Sequence, residues 1–138
     1  MIKNFNEDVD NKVSMSSVLV IIVAALFVCL AYFLQTLPAS TANYFEQTLS
    51  IDTAQFVEIS TIFFVVYGLL QIPNGMFIDR YGIKILFPFG IFITLLGIIL
   101  YWLASSIFLL SLSRFLEGIG TSMAYVVVIF IASKYFPA

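Results

Sequence analysis

Long uncharged apolar stretches alternate with short polar breaks along this chain, and each stretch has the length of a membrane span. The first runs from Val18 to Leu37 and meets no charge until Glu46. About 20 apolar residues suffice for a helix to cross a bilayer. The run therefore predicts a spanning helix, continued past Pro38 because spanning helices tolerate proline where a neighbour satisfies the freed carbonyl. The second stretch, Ile59 to Ile78, follows Asp52-Thr53-Ala54-Gln55. An acidic acceptor with Gln three residues later reads as a capping box. Gly82 marks a turn, and Pro88 falls in the early turns of the next helix, where a missing donor costs least. A single helix from Ile85 to Ser113 would be about 43 Å long against a hydrocarbon core of about 30 Å. It would also leave too little chain before Lys134 for another span, so a reversal is expected at Ala104-Ser105-Ser106. The expected spans are 16–46, 52–79, 84–104 and 107–136, behind an N-terminal tail over 1–15.

Composition supports the pattern: 62% of the residues are hydrophobic and 10% are charged, far from the usual balance of a water-soluble domain. The expected fold class is an all-α membrane protein of four transmembrane helices, with the lipid bilayer as its first partner and no sizeable soluble domain. The formal net charge of −2 says little, but its distribution is informative. Lys3 and Lys12 lie in the tail, Arg80 and Lys84 after the second span, and Lys134 near the chain end, whereas the breaks at 38–52 and 105–106 hold no Lys or Arg. By the positive-inside rule both termini are expected to be cytoplasmic, in a cytoplasmic (inner) membrane. Glu7, Asp8 and Asp10 in the tail, and the length of the first run, argue for a retained helix over a signal peptide.

Candidate chemistry is sparse. Cys29 is the one cysteine and there is no histidine. An internal disulfide and a histidine-based catalytic triad are thus excluded, and zinc or haem sites lack ligands. No cofactor, metal or enzymatic activity is expected. Cys29 reads as a small apolar residue. Apart from Arg114, the few basic residues lie at membrane edges, so nothing indicates nucleic-acid binding.

One polar break carries more than topology. In Asn74-Gly75-Met76-Phe77-Ile78-Asp79-Arg80-Tyr81-Gly82-Ile83-Lys84 the carboxylate of Asp79 sits at a helix C-terminus, where the dipole disfavours negative charge. It calls for a cation or a helix N-terminus nearby. Gly75, Asp79, Arg80, Gly82 and Lys84 stand in the order G-x-x-x-D-R-x-G-x-K/R, and this segment resembles the loop between the second and third helices of the major facilitator superfamily (MFS). Arg114, Gly118 and Gly120 resemble that family's fourth-helix pattern R-x-x-x-G-x-G, and Tyr135-Phe136-Pro137 is similar to the end of that helix. Ile83 stands where many relatives carry a basic residue, and Glu117 where drug antiporters often carry Gln, so the resemblance reaches the superfamily and no subfamily.

The resemblance implies a partial N-terminal six-helix domain of a twelve-span transporter: one three-helix repeat and the first helix of the next. In such carriers two halves rock about a central site lined by the first and fourth helices of each half. The loop carrying Asp79 docks against the other half and helps set which side is open. The implied partners are a small-molecule substrate and the C-terminal part of the carrier.

Arg114 and Glu117 lie within the fourth expected span, where a charge costs about 2.5–3.5 kcal/mol on insertion scales. At i, i+3 they share a helix face and can pair. One reading is mutual neutralisation. The other is functional: Arg114 faces the cavity and attracts an anionic group of the substrate, while Glu117 takes up a proton. Tyr32, Gln35 and Thr36 on the first span are cavity-lining candidates by the resemblance, with interhelical hydrogen bonding as the plainer alternative. Gln71 and Asn74 carry the same ambiguity. Gly118 and Gly120, with Ala124, and the pair Gly90 and Gly97 read as close helix contacts.

Three functions follow from these readings. The first is secondary active transport of a small polar solute as symporter or antiporter, this chain being a truncated or split piece inactive alone. The second is a dimeric four-helix exporter, disfavoured because such exporters need a carboxylate in the first span and Val18 to Leu37 has none. The third is a non-transporting membrane subunit or remnant.

Overall fold

The computed structural model describes the backbone over residues 15–135 and the side chains over 18–130. Lys3 and Lys12 in the expected tail, the side chain of Lys134 and the Phe136-Pro137 end lie outside the described residues. Four helices follow in order: α1 (Met15–Leu49), α2 (Thr53–Tyr81), α3 (Ile83–Trp102) and α4 (Ile107–Tyr135). All four are long and apolar enough to cross a membrane.

Each connection is short and has a local cause. α1 ends at Ser50, which takes a left-handed conformation (φ 52°), and Ile51 N–H donates back to the Glu46 carbonyl at 3.3 Å. The capping box then starts α2: Asp52 Oδ1 accepts from Gln55 N–H at 2.7 Å, and Gln55 Oε1 accepts from Asp52 N–H at 3.3 Å. Between α2 and α3 the chain reverses on Gly82 alone (φ 77°, ψ 161°), a region open only to glycine. Its N–H donates to the Ile78 carbonyl at 2.9 Å and its own carbonyl accepts from Leu86 N–H at 3.3 Å. The turn after α3 falls at Leu103–Ser106, and Ser106 Oγ caps α4 by accepting from Leu109 N–H at 3.3 Å. Pro88 corrects one expectation. It lies inside α3, beyond its first turn, so its missing N–H does leave the Lys84 carbonyl without a helical donor.

α4 is the central helix. Of its most apolar stretch 56% is buried, against 22%, 17% and 22% for α1, α2 and α3. It packs broadly on α3 and α2 and more narrowly on α1. The core is layered along the bundle axis. At one end Phe45, Phe56, Ile59, Tyr101 and Leu110 cluster, with Phe45 edge-on to Tyr101 at 5.1 Å. At the other end Ala24, Ile78, Leu86, Met123 and Val127 do so. Between them lies a buried polar layer of Thr94, Ser113, Arg114, Glu117, Thr121 and Ser122. Most of its hydroxyls are satisfied by carbonyls one turn back on the same helix, such as Thr121 Oγ1 to Glu117 O at 2.6 Å.

Close helix approach explains the burial. A Cβ on Gly97 of α3 would stand 2.7 Å from Glu117 Cγ and 2.9 Å from Glu117 N, and one on Gly120 would stand 2.6 Å from the Gly90 carbonyl. The backbones of α3 and α4 meet because neither position has a side chain. The opposite side of α3 is wholly apolar and exposed at Ile85, Phe89, Phe92, Leu95, Ile99 and Trp102, as a lipid-facing surface requires.

Candidate functional site

The site begins with a missing hydrogen bond. Pro38 sits inside α1 without an N–H, so the Leu34 carbonyl one turn before it has no helical donor. Arg114 of α4 supplies one: its two terminal nitrogens each donate to Leu34 O at 3.2 Å. The same guanidinium pairs with Glu117 Oε2 one turn along α4. Its planar face lies 4.7 Å from the Phe63 ring centre, and Tyr101 is 5.7 Å away. Both charged residues are fully buried. Stacked rings, a bidentate carbonyl contact and a carboxylate together compensate a charge that would otherwise be costly in hydrocarbon.

The compensation is incomplete in an informative way. Among the described residues, Arg114 Nε and Glu117 Oε1 are buried with no hydrogen-bond partner. Glu117 thus keeps one oxygen able to hold a proton or accept from a solute donor. Gly97 leaves the space for its side chain. A second buried polar contact ties α2 to α4, where Asn74 Nδ2 donates to Ser122 Oγ at 2.7 Å. Gly118 lets α4 approach α2 closely, since a Cβ there would lie 2.8 Å from the Phe63 carbonyl.

Of the first-helix candidates, Tyr32 and Thr36 are exposed and Gln35 is half-buried, and Thr36 Oγ1 is already bonded to the Phe33 carbonyl at 2.9 Å. None of the three touches Arg114 or Glu117 through a hydrogen bond. Sequence alone put no weight on Tyr67 of α2, which is half-buried. Tyr67 also stacks on Phe63 at 6.0 Å, the ring beneath Arg114. The signal available was position: a tyrosine far from a span's ends is unusual, because tyrosine favours the membrane–water boundary.

The Asp79 segment is separate from this site. Asp79, Arg80 and Lys84 are exposed at the α2–α3 turn, and Arg80 lies 5.6 Å over the Tyr81 ring. Among the described residues Asp79 has no ion pair with either cation. A Cβ on Gly75 would meet nothing within 4 Å, so that face of α2 is open.

Comparison with known proteins agrees with this architecture. Residues 18–138 match the family model described as Major Facilitator Superfamily. The riboflavin transporter RibZ of Clostridioides difficile (strain 630) is 25% identical over 120 residues, a match covering 84% of this chain and 26% of that protein. The chain therefore spans about a quarter of the length of this curated relative. No solved structure matches. Four membrane-crossing helices, three of them packed on the central α4, with the family match over nearly all of them, establish that this chain belongs to the Major Facilitator Superfamily.

Proposed function

We propose that this four-helix unit serves in a secondary carrier for a small polar solute, as the N-terminal part of an assembly whose remaining helices complete the solute path. The observation that carries the reading is the buried Arg114–Glu117 pair, which joins the first and fourth helices and retains an unpartnered carboxylate oxygen. In this reading Glu117 exchanges a proton at Oε1. Protonation weakens its hold on Arg114, and the guanidinium becomes available to an anionic group of the solute when α1 parts from α4. The α2–α3 turn is cytoplasmic, as are both termini, in a cytoplasmic membrane. There Asp79 meets the other half of the carrier, which supplies the cation or helix N-terminus it lacks here. The flavin named for the relative gives the first solute to test.

A second reading is favoured by one observation. Arg114 satisfies the carbonyl that Pro38 frees, so the pair can be a structural clasp with no part in coupling. Uptake into native membrane vesicles separates the two. With a clasp alone, Glu117→Gln lowers the amount of folded protein and leaves the pH dependence of uptake per folded carrier unchanged. With coupling, Glu117→Gln abolishes stimulation of uptake by a proton gradient per folded carrier, whatever the amount of folded protein.

A further inference from the structure

The turn of α1 that carries Pro38 is held at two points, from two different helices. Before the proline, Arg114 of α4 donates to the Leu34 carbonyl. After it, Thr41 Oγ1 lies 2.5 Å from the Tyr101 hydroxyl of α3 and donates to the Leu37 carbonyl at 3.1 Å. A threonine hydroxyl has one proton to give. The Leu37 carbonyl takes it, so Tyr101 is the donor to Thr41. The hydrogen bonds therefore run from Tyr101 through Thr41 to the Leu37 carbonyl, which belongs to the peptide bond that Pro38 completes.

Tyr101 touches the buried pair as well. Its ring centre is 5.7 Å from the Arg114 guanidinium carbon, and Phe45 of α1 stands edge-on to it at 5.1 Å. The whole side chain is buried. A phenylalanine would fill nearly the same volume and keep both ring contacts, so the hydroxyl is there for Thr41. A buried phenol hydroxyl needs a partner, and this one finds it on the helix whose carbonyl holds Arg114. Among the described residues no other side-chain hydrogen bond joins α1 to α3. We infer that Tyr101 is a positioning residue for Arg114: through Thr41 it fixes where the Pro38 turn, and with it the Leu34 carbonyl, stands against the guanidinium. The inference deepens the carrier reading and rests on it for its meaning in transport, since α1 leaves Arg114 more readily once this tie is loosened.

Arg114 itself reports the result. The chain has two arginines, Arg80 and Arg114, so isotope-labelled arginine gives a nitrogen NMR spectrum of two guanidinium groups, assigned with Arg80→Lys. A guanidinium held at both terminal nitrogens shows two separate signals, and a loosely held one averages them by rotation about the Nε–Cζ bond. In the full 138-residue chain in lipid bilayers Arg114 should show the separate pair. Tyr101→Phe and Thr41→Val should each speed the averaging about two- to tenfold, the factor of one hydrogen bond, and together should add little. Thr41→Ser, which keeps the hydroxyl, should restore the original rate. An averaged signal in the unaltered chain overturns the positioning role. So does an unchanged pair in Tyr101→Phe of full helical circular dichroism, or a change there that Thr41→Val does not reproduce. Should Tyr101→Phe fail to fold, the rate in Thr41→Val decides. Transport by the complete assembly is read separately, so an overturned role leaves the carrier reading standing.

Discussion

Arg114 stands where Pro38 leaves a gap: its two terminal nitrogens, each 3.2 Å from the Leu34 carbonyl, replace the helical donor that proline cannot provide. One guanidinium thereby holds α1 to α4 and neutralises Glu117, so the proline and the membrane-buried charge explain each other.

Removing one member of the buried pair should cost far more than removing both. Arg114→Met leaves the Glu117 carboxylate unpaired, a loss of about 3–5 kcal/mol for a broken buried pair. Adding Glu117→Met should recover a large part of it. Reversible unfolding in mixed micelles, read by helical circular dichroism, measures the cycle; additive single effects would contradict the coupling.

Pro38→Ala gives the Leu34 carbonyl its own helical donor. In that background Arg114→Met should be less damaging, by about 1–3 kcal/mol, because one orphaned acceptor has been removed. An equal penalty with and without Pro38 would show that the carbonyl contact contributes nothing.

The glycines should separate by what surrounds them. Gly97→Ala and Gly120→Ala drive a methyl into the backbone of the neighbouring helix and should destabilise by about 1–3 kcal/mol. Gly68→Ala meets nothing within 4 Å and should be neutral or gain up to about 1 kcal/mol of helix propensity. Thermal melting in detergent ranks the three.

Asp79→Asn should leave insertion and folding of the four helices unchanged, since Asp79 has no ion pair among the described residues. It should slow transport by the complete carrier. Unchanged initial rates at normal expression would remove the gating role.

The helices were legible because their signals are local. Uncharged runs set the first three spans, the Asp52–Gln55 box announced α2, and the length limit on a span pointed to a turn near Ala104 and so to the fourth. Arg114 and Glu117 were visible as charges in an apolar stretch, and their i, i+3 spacing suggested the pair. The Leu34 carbonyl as the second partner was not visible, because it depends on how α1 lies against α4 in space. Nor was the full enclosure of the pair, which rests on Gly97 and the closeness of α3. Tyr67 escaped for a related reason: it is one tyrosine among seven in sequence, and only the packing of α4 on α2 sets Arg114 over the Phe63 ring on which Tyr67 stacks.

The most direct test of the carrier reading is solute uptake after purification of a tagged chain from native membranes, with whatever polypeptide accompanies it. Reconstituted into liposomes, the assembly should accumulate a small polar solute in response to a proton gradient, and the 138-residue chain alone should not. Uptake by the four-helix chain alone would contradict its being part of a larger carrier. An intact assembly that moves no solute would contradict transport itself.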